Sequence, residues 1–279
     1  MERLVPDDNN KKTLELIWNR AFISRAGELI KDPKAEEIAS HLDNSSGKLK
    51  LSKYLSIFLG IRARVLDELA NQFIAKHPEC IVIHLGCGLD SRCERVLTKP
   101  KMWFDLDFPD VIDLRRRFYE ENANYRMIGA DAAALGWLDQ IPDGEEVLVI
   151  AEGFTMFMTA EENISLFTAF YQKFYYTEYV FDVYTDRAIV MLRSSQKAQE
   201  NKRGKSILWG LGNPSMLESI DGVKYIRSFR FNYTRYLKTL PLGTQLIYRL
   251  MYGRDATNRL YRIYHYRIRG VDFVDEEER

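Results

Sequence analysis

Between Ile81 and Val96 the sequence reads IVIHLGCGLDSRCERV, an apolar run that breaks into Gly86 and Gly88. Glycines at the end of a strand let backbone N–H groups approach a ligand with no side chain in the way. Acidic residues then recur after each later apolar run: Asp105 and Asp107, Asp131 and Glu152. An acid about twenty residues past a glycine turn is placed to take both hydroxyls of a ribose. Asp105 and Asp107 share a face of their strand, and Pro109 opens the next helix, so Asp107 lies nearest the turn. The chemistry is that of a nucleoside-containing ligand. A dinucleotide turn wants a third glycine at position 91, where this chain has Ser91, and Asp90 would set a negative charge beside a pyrophosphate. S-adenosyl-L-methionine has no phosphate. Its sulfonium and ammonium suit nearby acids, and its carboxylate suits an arginine.

These residues need a scaffold of alternating strands and helices. Strands are expected at Ile81–His84, Lys101–Leu106, Tyr125–Ile128, Glu146–Ala151, Tyr179–Val183, Val223–Phe229 and Leu260–Arg269. Helices are expected to start at Ser91–Leu97 and to cover Val111–Glu121 and Glu161–Tyr175. Single helices between strands imply a parallel sheet with the ligand at the C-terminal ends of its strands. The last two strands show no obvious helix between them and suggest an antiparallel hairpin at one edge. The irregular stretch Gln196–Ser215 reads as a flap or insertion.

The first 80 residues read differently, as helices. Leu14, Ile17, Trp18, Ala21 and Phe22 fall on one helical face, and Asp32-Pro33 caps and opens a second helix. A third runs from about Ser52 to His77. Arg62 lies in the middle of its apolar stripe of Leu55, Leu59, Leu66, Leu69 and Phe73, whereas Arg64 points away. An arginine on a buried face needs an anion, either a carboxylate of the protein or that of a ligand.

Composition narrows the partners. Lys+Arg and Asp+Glu both number 40, a balance without the positive field that nucleic acid or an anionic membrane surface requires. No apolar run is long enough to span a bilayer, and MERLVPDDNNKK has no apolar signal core, so a cytoplasmic protein is expected. Cys80, Cys87 and Cys93 form no C-x2-C pair and read as reduced thiols, with no metal.

Four segments, HLGCGLDSR, FDLDFPDVIDLR, IGADAAALGWLDQI and IAEGFTMFM, resemble the leucine carboxyl methyltransferase family in order and spacing. WNRAFISRAGELIKDPKAEEI and GIRARVLDELA resemble its entry helices, and WGLGNPSMLESI its later region. The resemblance implies an α/β, Rossmann-like class I methyltransferase: a mostly parallel seven-stranded sheet with an antiparallel edge hairpin. A helical N-terminal lid would span 1–79 and the cofactor-binding domain 80–279, with an insertion around 196–222. It implies S-adenosyl-L-methionine as cofactor and a small-molecule, polyketide-like acceptor methylated on a hydroxyl or carboxyl. Gly86 and Gly88 would lie against the methionine part, Asp107 on the ribose, Asp131 and Ala132 beside the adenine, and Glu152 near the methionyl amine. Arg62 would clamp the methionyl carboxylate, with Arg20 as a second basic contact. Phe157 stands where the family commonly has Tyr, and His84 where Asn is common. His84, Asp182, Tyr184 and His265 are candidate bases, none singled out by spacing. The aromatic residues Tyr171, Phe174, Tyr175, Tyr176 and Phe181 read as core before they read as an acceptor pocket. The competing readings are an NAD(P)-dependent oxidoreductase and a non-catalytic cofactor-binding protein of the same fold.

Overall fold

The computed structural model describes residues 4–6, 10–27, 29–45, 47, 49–143, 145–194, 207–231, 234–252 and 260–274. Three helices open the chain: α1 (Lys11–Ala26), α2 (Pro33–Ser40) and α3 (Lys53–Lys76). The cap of α2 is the one the sequence predicts, and α3 is capped by Ser52. The Ala35 N–H donates to Asp32 Oδ1 at 2.9 Å, and the Leu55 N–H to Ser52 Oγ at 3.2 Å. α1 packs against both α2 and α3, and Leu14, Ile17 and Ala21 of α1, Ile38 of α2 and Ile61, Leu66 and Phe73 of α3 are all buried.

The remaining elements alternate. They are β1 (Ile81–Leu85), α4 (Arg92–Arg95), β2 (Met102–Asp107), α5 (Pro109–Arg115), β3 (Tyr125–Gly129), β4 (Glu146–Ala151), α6 (Ala160–Lys173), β5 (Tyr176–Tyr184), α7 (Asp186–Ser194), β6 (Val223–Phe229), α8 (Thr234–Leu237), α9 (Leu242–Tyr252) and β7 (Tyr261–Arg269). They build one seven-stranded sheet in the order β3-β2-β1-β4-β5-β7-β6. β1 to β5 are parallel, while β7 runs antiparallel to both β5 and β6. Every residue of β1 is buried, as its unbroken apolar run requires of a central parallel strand. The strand order reverses between β1 and β4, which is where an open α/β sheet binds its ligand.

Several elements differ from expectation: α5 ends at Arg115, short of Glu121, and α7 is not among the expected helices. The helix after β1 is a single turn, because Lys99 folds back and its Nζ takes the carbonyls of Cys93, Glu94 and Val96 at 2.9, 3.1 and 2.7 Å. The last strands are not directly joined: α8 and α9 lie between them, and only β7 is reversed, so β6 at the edge again runs parallel to β5. Of the insertion, residues 195–206 lie outside the described residues. Beyond them Leu208 and Trp209 donate to the Met156 carbonyl at 2.8 and 3.2 Å, and Leu211 to that of Tyr184 at 2.8 Å, so this segment packs over the ends of β4 and β5.

Candidate functional site

The turn after β1 is held by its backbone. Gly86 and Gly88 have φ of 64° and 52°, in the left-handed region that suits glycine. A Cβ on Gly86 would lie 2.5 Å from the Phe154 ring, so no larger residue fits there. The Gly86 and Cys87 N–H groups both donate to the Leu106 carbonyl, at 2.8 and 3.2 Å, which fixes the turn beside the end of β2. Asp107 completes the contact: its Oδ2 accepts from the Gly88 N–H and its Oδ1 from the Phe108 N–H, each at 2.8 Å. Asp105 goes elsewhere. It is fully buried and accepts from Arg115, the Tyr125 hydroxyl at 2.7 Å and the Trp103 indole at 2.8 Å. Of the two acids, only Asp107 faces the ligand side.

A cavity of about 490 Å³ lies over the ends of β1, β2 and β4, walled by α1 and α3. Its lining includes Arg20, Arg62, Gly86, Gly88, Asp107 and Glu152. The structure thus brings together six of the eight site residues that the sequence singles out. Asp131 and Ala132 are not in the lining. Asp131 accepts from the Ala133 N–H at 3.0 Å and caps a short 3₁₀ turn, with Ala132 buried behind it.

The charged groups around the cavity form one buried network. Glu152 Oε1 lies 3.3 Å from Arg20 and 3.0 Å from Arg62, and Oε2 accepts from Arg92. Burial alone would raise the Glu152 carboxyl, but Arg62, Arg92 and Arg20 outweigh it and hold it down to about 2. Asp90 is half-buried, and Arg20, Arg95 and Arg92 hold it well below the usual carboxylate range. Arg92, fully buried, also meets Asp67 at 2.9 Å, and Arg95 ties Asp67 and Asp32 at 2.6 and 2.7 Å. The single turn of α4 therefore anchors α2 and α3 to the glycine turn. These two arginines escaped the sequence reading. Their only signal was two cations three residues apart directly after the glycine turn.

Arg62 is buried as its stripe position predicts, and its partners lie within the protein. Nε donates to Glu152 at 3.0 Å, and Nη1 to Asp182 and to the Tyr261 hydroxyl, both at 3.1 Å. Arg64 is exposed and pairs with Glu68 at 3.3 Å. Arg20 differs: its Nη1 is buried at the cavity without a hydrogen-bond partner. A buried guanidinium nitrogen left unpaired is a donor available to an acceptor on a ligand. With the glycine cradle and Asp107, this donor set fits S-adenosylmethionine.

Among the candidate bases, His84 alone lines the cavity. Its Nε2 is 3.0 Å from Arg92 Nη1 and its Nδ1 is 3.3 Å from Asp105. His265 pairs with Glu178 at 2.8 Å, away from the cavity. Phe157 lines the cavity, whereas none of the aromatic residues of 171–181 does. Phe174 and Phe181 are buried in the core.

Asp182 sits behind the site, accepting from the Gly153 N–H at 2.7 Å and from the Tyr261 hydroxyl. Burial pushes its carboxyl up to about 6 against the opposing pull of Arg62. Between the unfolded value near 4 and about 6 the folded state binds more protons than the unfolded one, so this group removes stability as pH rises through that window. Asp182→Asn mimics the protonated form. Its melting temperature is expected to improve relative to wild type on going from pH 4.5 to 7.5; a constant difference across that range would refute the assignment.

A seven-stranded sheet of this order, reversed at β7 and carrying its cavity at the switch between β1 and β4, has the architecture of class I S-adenosylmethionine-dependent methyltransferases. The family model of leucine carboxyl methyltransferases matches residues 8–171, and the chain belongs to that family. It is 35% identical to the tetracenomycin polyketide synthesis O-methyltransferase of Streptomyces glaucescens over 196 residues, 70% of this chain and 72% of that one. It is 31% identical over 223 residues to an S-adenosyl-L-methionine-dependent methyltransferase of Gibberella zeae, 75% of this chain and 73% of the relative. Among solved structures, an S-adenosylmethionine-dependent methyltransferase from Mesorhizobium loti superposes with a TM-score of 0.51 at 15% identity, covering 70% of this chain and 95% of that one. The protein is an S-adenosylmethionine-dependent methyltransferase, and the NAD(P) reading falls with that result.

Proposed function

We propose that this enzyme transfers the methyl group of S-adenosylmethionine to a carboxylate oxygen of a small polyketide-like acid. The observation that carries the reading is the cavity itself, which gathers the glycine turn, Asp107, Glu152 and the unpaired Arg20 nitrogen. Arg62 would clamp the methionyl carboxylate with Arg20 beside it, whose Nη2 meets Asp90 and Glu152 while its Nη1 is buried without a partner. Asp107 would take the ribose hydroxyls, Gly86 and Gly88 the methionine chain, and Glu152 the amine. The adenine would reach towards Asp131 and Ala132 beyond the cavity rim. The helices of 1–79 act as the lid. The three cysteines are free thiols, which fits a cytoplasmic enzyme.

The sulfonium supplies the leaving group for an in-line displacement, and the protein aligns the acceptor oxygen with the methyl carbon in a closed site. Each acid lining the cavity already has a partner. Glu15 pairs with Lys12 at 3.0 Å, Asp90 and Glu152 with arginines, and Asp107 with two backbone N–H groups. His84 is engaged by Arg92 and Asp105. An acceptor that arrives ionised needs no base, and this favours a carboxylate over a phenol. The polyketide class follows the Streptomyces relative's name.

Calorimetric titration with S-adenosylhomocysteine is expected to give a single site. Methyl transfer to aromatic polyketide-type carboxylic acids should proceed at a rate that is flat from pH 6 to 8. No binding at about 1 mM ligand would overturn the cofactor site, since enzyme KM values commonly lie at or below that level. Methylation of phenols without acids would overturn the acceptor class.

A further inference from the structure

Three successive carbonyls of the glycine turn are held from the last residue of α5 and the turn that follows it. The Arg115 guanidinium donates from Nη1 to the Gly88 carbonyl at 3.0 Å and the Asp90 carbonyl at 2.8 Å. Between them, the Tyr119 hydroxyl donates to the Leu89 carbonyl at 3.0 Å. Tyr119 lies four residues beyond Arg115, its N–H donating to the Arg115 carbonyl at 3.1 Å, and the guanidinium stacks over the Tyr119 ring at 3.9 Å from its centroid. Arg115 is fully buried, with Nε on the Tyr125 hydroxyl at 2.9 Å and Nη2 on Asp105. Neither side chain lines the cavity.

We propose that Arg115 and Tyr119 are positioning residues, a carbonyl clamp that presets the turn after β1 and the Asp107 carboxylate for the cofactor. Gly88 is the centre of this arrangement. Its N–H is held by Asp107 and its C=O by Arg115, so both peptide planes around this flexible residue are fixed. The same guanidinium anchors Asp105, two residues before Asp107 on β2. One side chain therefore sets the spacing between the glycine turn and the ribose acid. Holding the carbonyls on the α5 side keeps them away from the cofactor pocket, where they would face no donor of the protein. A glycine turn is entropically costly to order on binding, and prior ordering returns that cost as affinity.

The clamp rests on the turn being the cofactor's cradle, and the experiment separates the two. S-adenosylhomocysteine affinity is measured by calorimetry for wild type, Tyr119→Phe and Arg115→Lys, alongside the melting temperature and the Gly88 amide shift in isotope-labelled protein. Tyr119→Phe removes one oxygen and is expected to weaken binding about 5-fold, the contribution of one neutral hydrogen bond. Arg115→Lys keeps the charge beside Asp105 but cannot span the two carbonyls, and should weaken binding about 10- to 100-fold. In Arg115→Lys the Gly88 amide should move while the Trp137 indole signal, bonded to the Ala132 carbonyl at 3.0 Å, stays in place. Loss of stability alone would leave affinity and the Gly88 shift unchanged. Binding within 2-fold of wild type in both variants overturns the clamp, and Tyr119→Phe decides alone if Arg115→Lys does not fold. A wild type that fails to bind would instead refute the cofactor site.

Discussion

Glu152→Gln is expected to lower stability by about 3–5 kcal/mol, which for a chain of this size lowers the melting temperature by about 10 °C. The substitution is nearly isosteric, so packing hardly changes. What changes is the charge at the centre of Arg20, Arg62 and Arg92, whose side chains are only 11%, 8% and 0% exposed. Each arginine keeps a second acid: Asp90 for Arg20, Asp182 for Arg62, and Asp67 for Arg92. The loss therefore stays within the range for one broken buried pair. The pH dependence has a definite sign. Because the folded Glu152 carboxyl is held down to about 2, its contribution is present above the unfolded value near 4.5 and is lost as pH falls towards 2. The Gln variant lacks that slope. Arg64→Gln is the control, since its exposed pair with Glu68 should contribute less than about 0.5 kcal/mol. Calorimetric melting of both variants decides the matter; equal, small shifts would show that Glu152 is not the keystone of the network.

The network also marks the limit of what the sequence conveys. Periodicity and the Asp32-Pro33 cap are enough to place α1 to α3, because a helix carries its apolar stripe and its cap locally. The parallel core was legible because β1 and β4 are unbroken apolar runs, and glycines with acids at strand ends mark a binding edge. Arg62 was legible as buried, since its stripe position is a local property. Its partners were not: Glu152 and Asp182 are brought to it by β4 and β5, and nothing near residue 62 encodes that register. The same holds for Arg20. A helical arginine reads as solvated until the fold packs α1 over the cavity and leaves one nitrogen buried and unpaired. The missed helices α8 and α9 have another cause. α9 exposes Leu242, Leu246 and Leu250, and a stripe of this kind does not announce which side is core. Asp131 follows from its place at a strand end and Ala132 from motif position alone, and the cavity wall stops short of both.

Asp107→Ala is expected to weaken S-adenosylhomocysteine binding by at least about 100-fold, with a much smaller effect on stability. Two ribose hydroxyls donating to one carboxylate contribute about 1.5–3 kcal/mol each, so losing both spans about two to four decades in affinity. A second loss adds to this. The carboxylate bridges the Gly88 and Phe108 N–H groups at 2.8 Å each, so the alanine variant also releases the turn that cradles the methionine chain. The folded chain tolerates the change better than the ligand does, because Asp107 is only half-buried and lies at the cavity wall, where water can replace it. Asp107→Asn separates the two contributions. Its amide oxygen accepts from one N–H group and its amide nitrogen opposes the other, so the turn is half restored while the ribose loses a charged acceptor. Affinity for the Asn variant should fall between wild type and Ala. Asp105→Asn, the neighbouring acid on the same strand face, should instead lower the melting temperature, because it breaks a fully buried pair with Arg115. If Asp107→Ala binds S-adenosylhomocysteine within 3-fold of wild type, the ribose lies elsewhere and the geometry of the site must be redrawn around Glu152.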